Sequence, residues 1–307
     1  MDASALTRGL LFLSLAVTGV PGNIAVIFAF LSLAYQERLS PADAIVLHLA
    51  IVNLANLSVR CVLEVLASFS VYVFDDSSCK AVIFLYRTSR SLSIWLTFVL
   101  SAYQCLSVSP PGSRRASARA LLGRSLCVVF LVLWLINASM SAAPLLFAVA
   151  TRNDSKLSPN AINVEFCFLS FPSRLARDAN GAAQVGRDVV PMALMAGASV
   201  LLLVFLRRRQ ATARSGSLAE RRAALGVITL VSLYLLFYGV DNSLWVYTLS
   251  VPQTLGSSLI SDLRIFFSSL YAAVSPVIIL VSNTRVSRRA GDALRRCQPH
   301  GHIDHRT

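Results

Sequence analysis

Long runs of apolar residues, separated by short polar segments, dominate the chain. A bilayer core about 30 Å thick requires roughly 20 mostly apolar residues per helix. Seven stretches meet that requirement, at approximately 9–34, 42–73, 80–108, 125–149, 188–206, 223–250 and 260–282. His48, Arg60 and Glu64 interrupt the second, and the fifth is the shortest, beginning with Val189, Val190 and Pro191. The pattern predicts an all-α membrane protein: a seven-transmembrane helix bundle over residues 1–282, followed by a tail over residues 283–307. No small-residue cleavage site follows a short apolar core near Asp2 and Arg8, so the first run is expected to remain as a helix.

Composition strengthens this reading. Of 307 residues, 55% are hydrophobic and 14% charged, with a mean hydropathy of +0.65. A soluble domain carries about 25% charged residues. The net charge of +13, from 28 Lys+Arg against 15 Asp+Glu, would by itself suggest a nucleic-acid partner. Position decides otherwise. With the N-terminus outside, 17 basic residues fall in cytoplasmic segments and 7 in outer ones, which is the asymmetry that orients membrane proteins. The charge therefore records topology and attraction to anionic membrane lipid, and no nucleic-acid partner is expected.

Two further features agree with that orientation. Cys79 begins the third run and Cys167 lies between the fourth and fifth, both on the oxidising side, where a disulfide persists. Asn153-Asp154-Ser155 in the same loop is an N-glycosylation acceptor at Asn153, whereas the matches at Asn56 and Asn137 fall inside spans. Cys61, Cys105 and Cys127 read as small apolar residues in helices. HExxH, GxSxG, P-loop and paired CxxC patterns are absent from the sequence, so neither an enzyme nor a cofactor is expected.

The motifs narrow the class. Gly22-Asn23 resembles the GN of rhodopsin-like receptors, and His48-Leu49-Ala50-Ile51-Val52-Asn53 resembles the HLAxxN of vomeronasal type-1 receptors. Arg90-Ser91-Leu92-Ser93-Ile94, Ser101-Ala102-Tyr103-Gln104 and Ser107-Val108-Ser109-Pro110 together resemble that family's RxLSI…LSxxQ…ISP pattern. Leu236-Phe237-Tyr238 is similar to its LFY, and Ser275-Pro276 stands where most rhodopsin-like receptors have NPxxY. DRY is missing, as it is in that family; Tyr103 where many relatives have Phe, and the acidic Asp241, are departures. Over nearly its full length the chain resembles the vomeronasal type-1 / olfactory receptor class A-like family of G-protein-coupled receptors.

The resemblance implies a chemosensory receptor for pheromones or odorants in the plasma membrane of chemosensory neurons. It would bind a small-molecule ligand from outside and activate a heterotrimeric G protein of inhibitory type. Tyr103 and Gln104 occupy the place of the missing Arg-centred lock; they are candidate switch residues, with plain helix packing as the alternative. A bitter-taste-like or rhodopsin-like receptor is the nearest competing reading. A small-solute transporter is a more distant one, since the internal repeats that mark many transporters are not evident.

Six ionisable residues interrupt the upper helices: Arg60, Glu64, Arg87, Arg90, Asp241 and Arg264. Such residues usually face a bundle interior or a water-filled cavity. At about 1.5 Å of rise per residue, all but Arg60 fall in the outer half of the bilayer. Arg87 and Arg90 share a helix face, as do Tyr86 and Arg90. The six sum to +2, and excess guanidinium suits an anionic ligand. Candidate ligand-binding residues are Glu64, Tyr86, Arg87, Arg90, Tyr238, Asp241 and Arg264. The alternative is a structural ion-pair network, for instance Glu64 with Arg87 or Arg90. Trp245 and Tyr247 are candidates either for an apolar wall or for the interfacial aromatic belt.

Beyond the seventh run, Val286, Ala290, Ala293, Leu294 and Cys297 share one helical face, which suits a short amphipathic helix lying along the membrane. Cys297 is a candidate for palmitoylation, with a free thiol as the alternative. His300, His302 and His305 are spaced loosely on the tail and read as solvated residues, so no metal site is expected.

Overall fold

A computed structural model describes residues 3–69, 75–108, 114–150, 160–163, 167–211, 218–250 and 258–283. The helices are α1 (Ala3–Gln36), α2 (Pro41–Leu57), α3 (Leu63–Ser68), α4 (Asp76–Ser107), α5 (Arg114–Arg124), α6 (Leu126–Met140), α7 (Ala143–Phe147), α8 (Arg174–Ala211), α9 (Leu218–Ser250) and α10 (Ser258–Ser282). Among the described residues three short strands accompany them: β1 (Ala148–Ala150), β2 (Ala161–Asn163) and β3 (Cys167–Ser170). The glycosylation acceptor Asn153, the expected amphipathic helix and Cys297 lie outside the described residues.

Among the described residues, six helical segments are long and apolar enough to cross a membrane: Leu6–Gln36, Pro41–Leu66, Leu126–Phe147, Arg174–Arg208, Arg221–Ser250 and Leu259–Ser282. Large apolar side chains such as Leu10, Val17, Val128, Leu135, Val200 and Val281 point outward from them. The third predicted run, now α4, is not among the six. It is long enough, at 32 residues, but packs against α2, α6, α8 and α9 and buries Arg87, Thr88, Ser89, Arg90, Ser91, Ser93 and Thr97. Its surroundings are protein on most sides, and this permits the polar composition.

Local chemistry sets the boundaries. Ser40 caps α2 by accepting from the Asp43 amide at 3.2 Å, with Pro41 at the first helical position, where its missing N–H costs nothing. Asp75 does the same for α4, accepting from the Ser78 amide at 3.0 Å. The second span is not a uniform helix: a π-helical turn at Ser58–Val62 joins α2 to α3. Such insertions re-aim side chains and occur often at functional sites; this one buries Arg60 and Cys61.

The connection between α6 and α8 departs from an all-α expectation. The predicted fourth span, 125–149, ends as a helix at Met140, resumes for one turn from Ala143, and runs into β1. Strands β1, β3 and β2 form an antiparallel sheet with Ala150 opposite Cys167 and Ile162 opposite Leu169. Segments of three or four residues are too short to show a period-2 pattern. The Cys79–Cys167 disulfide ties β3 to the first turn of α4. Helix α8 begins at Arg174 rather than near 188, because its first turns carry a polar face that hydropathy alone excludes.

Polar residues of the recognised motifs fasten the helices internally. Asn23 Nδ2 donates to the Gly19 carbonyl at 2.8 Å and the Ala272 carbonyl at 2.9 Å. At Gly19 an added Cβ would stand 2.8 Å from Ala273 Cα, so the α1–α10 approach requires glycine there. Asn53 donates to Ser275 Oγ at 3.0 Å and accepts from Ser93 Oγ at 2.7 Å, joining α2, α10 and α4. Ser91 bonds Asn137 on α6. Around these nodes Val26, Phe30, Leu49, Leu92, Leu96 and Val231 form the main apolar core.

Candidate functional site

The charges of five helical segments converge beneath the small sheet. A cavity there is lined by Arg60, Ile83, Tyr86, Arg87, Arg90, Ile162, Gln184, Trp245, Ser261, Arg264 and Ile265. Its volume is ≈ 50 Å³, where one water needs about 10–15 Å³. The space suits several waters or a small organic group.

Around the cavity lies an ion-pair network. Arg90 on α4 contacts both Asp188 on α8 and Asp241 on α9. Asp241 is shared, its other oxygen 3.3 Å from Arg264 Nε on α10. Asp188 is shared as well, with Arg187 Nε 3.2 Å away, and Arg187 also donates to Ser141 Oγ at 2.8 Å. Arg60 and Glu64, one turn apart, approach to 3.4 Å. All three carboxylates are buried. Removing such groups from water is costly, so each must hold its partners in place.

Arg87 differs from its neighbours. It is 8% exposed and lines the cavity, yet no carboxylate pairs with it among the described residues. Among the described residues its one hydrogen bond runs to Asn180 Oδ1 at 3.4 Å, and Asn180 also accepts from Gln184 Nε2 at 2.6 Å. The network holds five guanidinium groups (Arg60, Arg87, Arg90, Arg187, Arg264) and three carboxylates (Glu64, Asp188, Asp241), leaving +2.

Aromatic rings form the walls and floor. The Arg264 guanidinium lies 4.1 Å over the Trp245 ring, and Arg60 lies 5.5 Å over Tyr86. Tyr86 shares a hydrogen bond with Ser268 at 2.8 Å. Arg90 sits 5.1 Å over Tyr238. Below, Tyr238 stacks on Tyr234 at 4.1 Å, and Tyr271 meets both edge-on. Tyr271 in turn shares a hydrogen bond with Thr97 at 3.0 Å. Contiguous rings thus run from the charged cavity toward the core.

Of the residues singled out from sequence, Tyr86, Arg87, Arg90 and Arg264 line the cavity directly. Glu64, Asp241 and Tyr238 stand one layer behind, holding its arginines. Arg60, placed deeper by helical rise, lines the same cavity, carried there on the π-helical turn. Glu64 pairs with Arg60, not with Arg87 or Arg90 as the ion-pair alternative supposed. Trp245 is a wall, while Tyr247 points outward, 51% exposed. Tyr103 packs half-buried against the core and Gln104 is half-buried beside it. Both lie far along α4 from Arg87.

Sequence reading missed Asp188, Arg187, Gln184 and Asn180, because the fifth apolar run starts only at 188. A signal was present: Arg177, Asn180, Gln184 and Arg187 recur at intervals of three and four residues, the spacing of one polar helix face.

Comparison with known proteins fixes the class. The model of the vomeronasal organ pheromone receptor family matches residues 6–291. Olfactory receptor class A-like protein 1 of Danio rerio is 38% identical over 297 residues, spanning 94% of this chain and 93% of the relative. Vomeronasal type-1 receptor 90 of Rattus norvegicus is 29% identical, with 91% of each chain covered. Vomeronasal type-1 receptor 1 of Gorilla gorilla gorilla is 26% identical, covering 91% of this chain and 81% of the relative. The chain therefore belongs to the vomeronasal organ pheromone receptor family of multi-pass G-protein-coupled receptors, which are not enzymes.

Proposed function

We propose that the protein is a chemosensory receptor of the plasma membrane of chemosensory neurons. In this reading it crosses the bilayer seven times with its N-terminus outside, and α4 is the third crossing, shielded from lipid by its neighbours. A small anionic ligand enters from the outer side and is held by Arg87, Arg90 and Arg264, with Tyr86 and Trp245 as apolar walls. Glu64, Asp241 and Tyr238 hold the arginines in position. One observation carries the anion preference: among the described residues Arg87 faces the cavity without a carboxylate, while Arg60 and Arg264 each have one and Arg90 has two.

The ligand acts by biasing a two-state bundle. An anion competing with Asp188 and Asp241 for Arg90 would loosen α4 from α8 and α9. The ring contacts under Arg90 would pass that change toward the inner face, where an inhibitory-type heterotrimeric G protein couples. The test is a panel of charge-matched carboxylates and amines, applied to cells expressing the receptor with a promiscuous G protein. Responses to carboxylates that vanish in Arg87→Ala at equal surface expression are expected. A response confined to amines and lost in Asp241→Ala would overturn the anion preference.

A further inference from the structure

The helix α5 carries a chemistry that ligand binding does not use. It reads Arg114-Arg115-Ala116-Ser117-Ala118-Arg119-Ala120-Leu121-Leu122-Gly123-Arg124 and contains four arginines and no acid. Ser117 is exposed, as are Arg114 and Arg115 at its −3 and −2 positions. Its hydroxyl makes no hydrogen bond among the described residues. Two guanidinium groups immediately before an exposed hydroxyl form a charge pattern of the kind by which protein kinases with acidic substrate grooves choose their substrates.

Sidedness and pliability both favour modification. Cys79 and Cys167 form a disulfide at the first turn of α4, which marks that end as facing an oxidising compartment. Helix α4 is 32 residues long, about 48 Å at 1.5 Å per residue, which exceeds a bilayer core of about 30 Å. Helix α5, at the opposite end, therefore faces the reducing cytosol, where nucleoside triphosphate and kinases are found. A kinase groove takes an extended segment, so α5 must open. It has 11 residues, none of them buried, and isolated helices shorter than about 12–15 residues are marginal. Segments with so little buried surface open at low cost.

We propose that Ser117 is a phosphorylation site for an arginine-directed serine/threonine kinase. The Ser117 oxygen attacks the γ-phosphorus of the nucleoside triphosphate; the new O–P bond replaces the bond to the diphosphate leaving group, and the hydroxyl proton passes to the kinase's base. The product adds about −1.5 to −2 charge to a segment that carries four positive charges. It lies one helical turn from Arg114, where the two pair. Arg115 stands 4.8 Å over the Phe205 ring of α8, and a neighbouring phosphate competes for it. Phosphorylation thus loosens α5 from the inner end of α8 and weakens its hold on anionic lipid.

The test uses full-length receptor in nanodiscs, incubated with magnesium ATP and the catalytic subunit of cyclic-AMP-dependent protein kinase. Fragment mass spectrometry then locates the phosphate. Phosphate on Ser117 is expected, its loss in Ser117→Ala, its retention in Ser117→Thr, and a fall of about tenfold or more in Arg114→Ala/Arg115→Ala. Absence of phosphate at Ser117, or labelling unchanged by the double arginine substitution, overturns the assignment. In sealed vesicles the kinase must label only those with the inner face outward; labelling of the opposite orientation alone refutes the sidedness. None of these readouts involves the ligand or a G protein, so the assignment can fail or hold independently of the proposed function.

Discussion

Arg90 of α4 and Asp241 of α9 are joined side chain to side chain inside the bundle, and both are buried. Asp241 is 1% exposed and Arg90 7%. Asp241 also holds Arg264 on α10, and Arg90 also holds Asp188 on α8. Four helices are thus fastened by four side chains.

Removing the shared carboxylate should therefore be expensive. Asp241→Asn leaves the buried Arg90 with Asp188 alone and takes the carboxylate from the partly exposed Arg264; breaking a buried pair from one side typically costs about 3–5 kcal/mol. Asp178→Asn breaks the pairs with Arg174 and Arg177, but its side chain is 47% exposed, and exposed pairs contribute about 0–1 kcal/mol. Thermal unfolding of the detergent-purified receptor should show a large drop for the first and little change for the second. Equal shifts would mean that the buried network is not what holds the helices.

The tyrosines below separate ring from hydroxyl. The Tyr238 hydroxyl is buried without a hydrogen-bond partner among the described residues, whereas that of Tyr271 bonds Thr97 at 3.0 Å. Tyr238→Phe should be neutral or slightly stabilising, and Tyr271→Phe should cost about 1 kcal/mol. Comparing melting temperatures of the two variants checks the order. A larger loss for Tyr238→Phe would show that its hydroxyl has a partner.

Much of this site was legible in the one-dimensional pattern, and the remainder has a physical reason for its obscurity. Arg60, Glu64, Arg87, Arg90, Asp241 and Arg264 stand out because ionisable side chains are rare in apolar runs. Cys79 and Cys167 stand out by compartment. Asp188 did not, because it sits where a polar helix face meets the first apolar residues, and hydropathy reads that junction as a loop end. The pairing of Arg90 was also hidden, since partners 98 and 151 residues away follow only from helix order in three dimensions. Ile162 reached the cavity through a strand three residues long, below the length at which alternation is visible.

The disulfide that ties β3 to α4 links residues 88 apart in sequence. Closing a loop of that size is worth about 4–5 kcal/mol in the chain-entropy account, less any strain. Cys79→Ser and Cys167→Ser should each lower surface expression sharply, and the double variant should be no worse than either single one, because one bond is lost in all three. Flow cytometry on non-permeabilised cells gives the comparison. Additive losses would argue that the two sulfurs act separately.

Close contact between α1 and α10 is the last relationship open to a direct check. At Gly19 a Cβ would stand 2.6 Å from Leu57 Cδ1 and 2.8 Å from Ala273 Cα. The leucine methyl can turn aside, but the α10 backbone cannot, so Gly19→Ala must push α1 away from α10. The shift also strains the bond from Asn23 to the Ala272 carbonyl, 2.9 Å long. Overpacking of this kind costs about 1–3 kcal/mol. Gly239 on α9 provides the contrast, since a Cβ there meets nothing within 4 Å. Gly239→Ala should be neutral or stabilising by up to about 1 kcal/mol, because alanine loses less conformational freedom in a helix. Denaturation of the two variants side by side should move the midpoint in opposite directions; a destabilised Gly239→Ala with an unaffected Gly19→Ala would contradict the packing of α1 against α10.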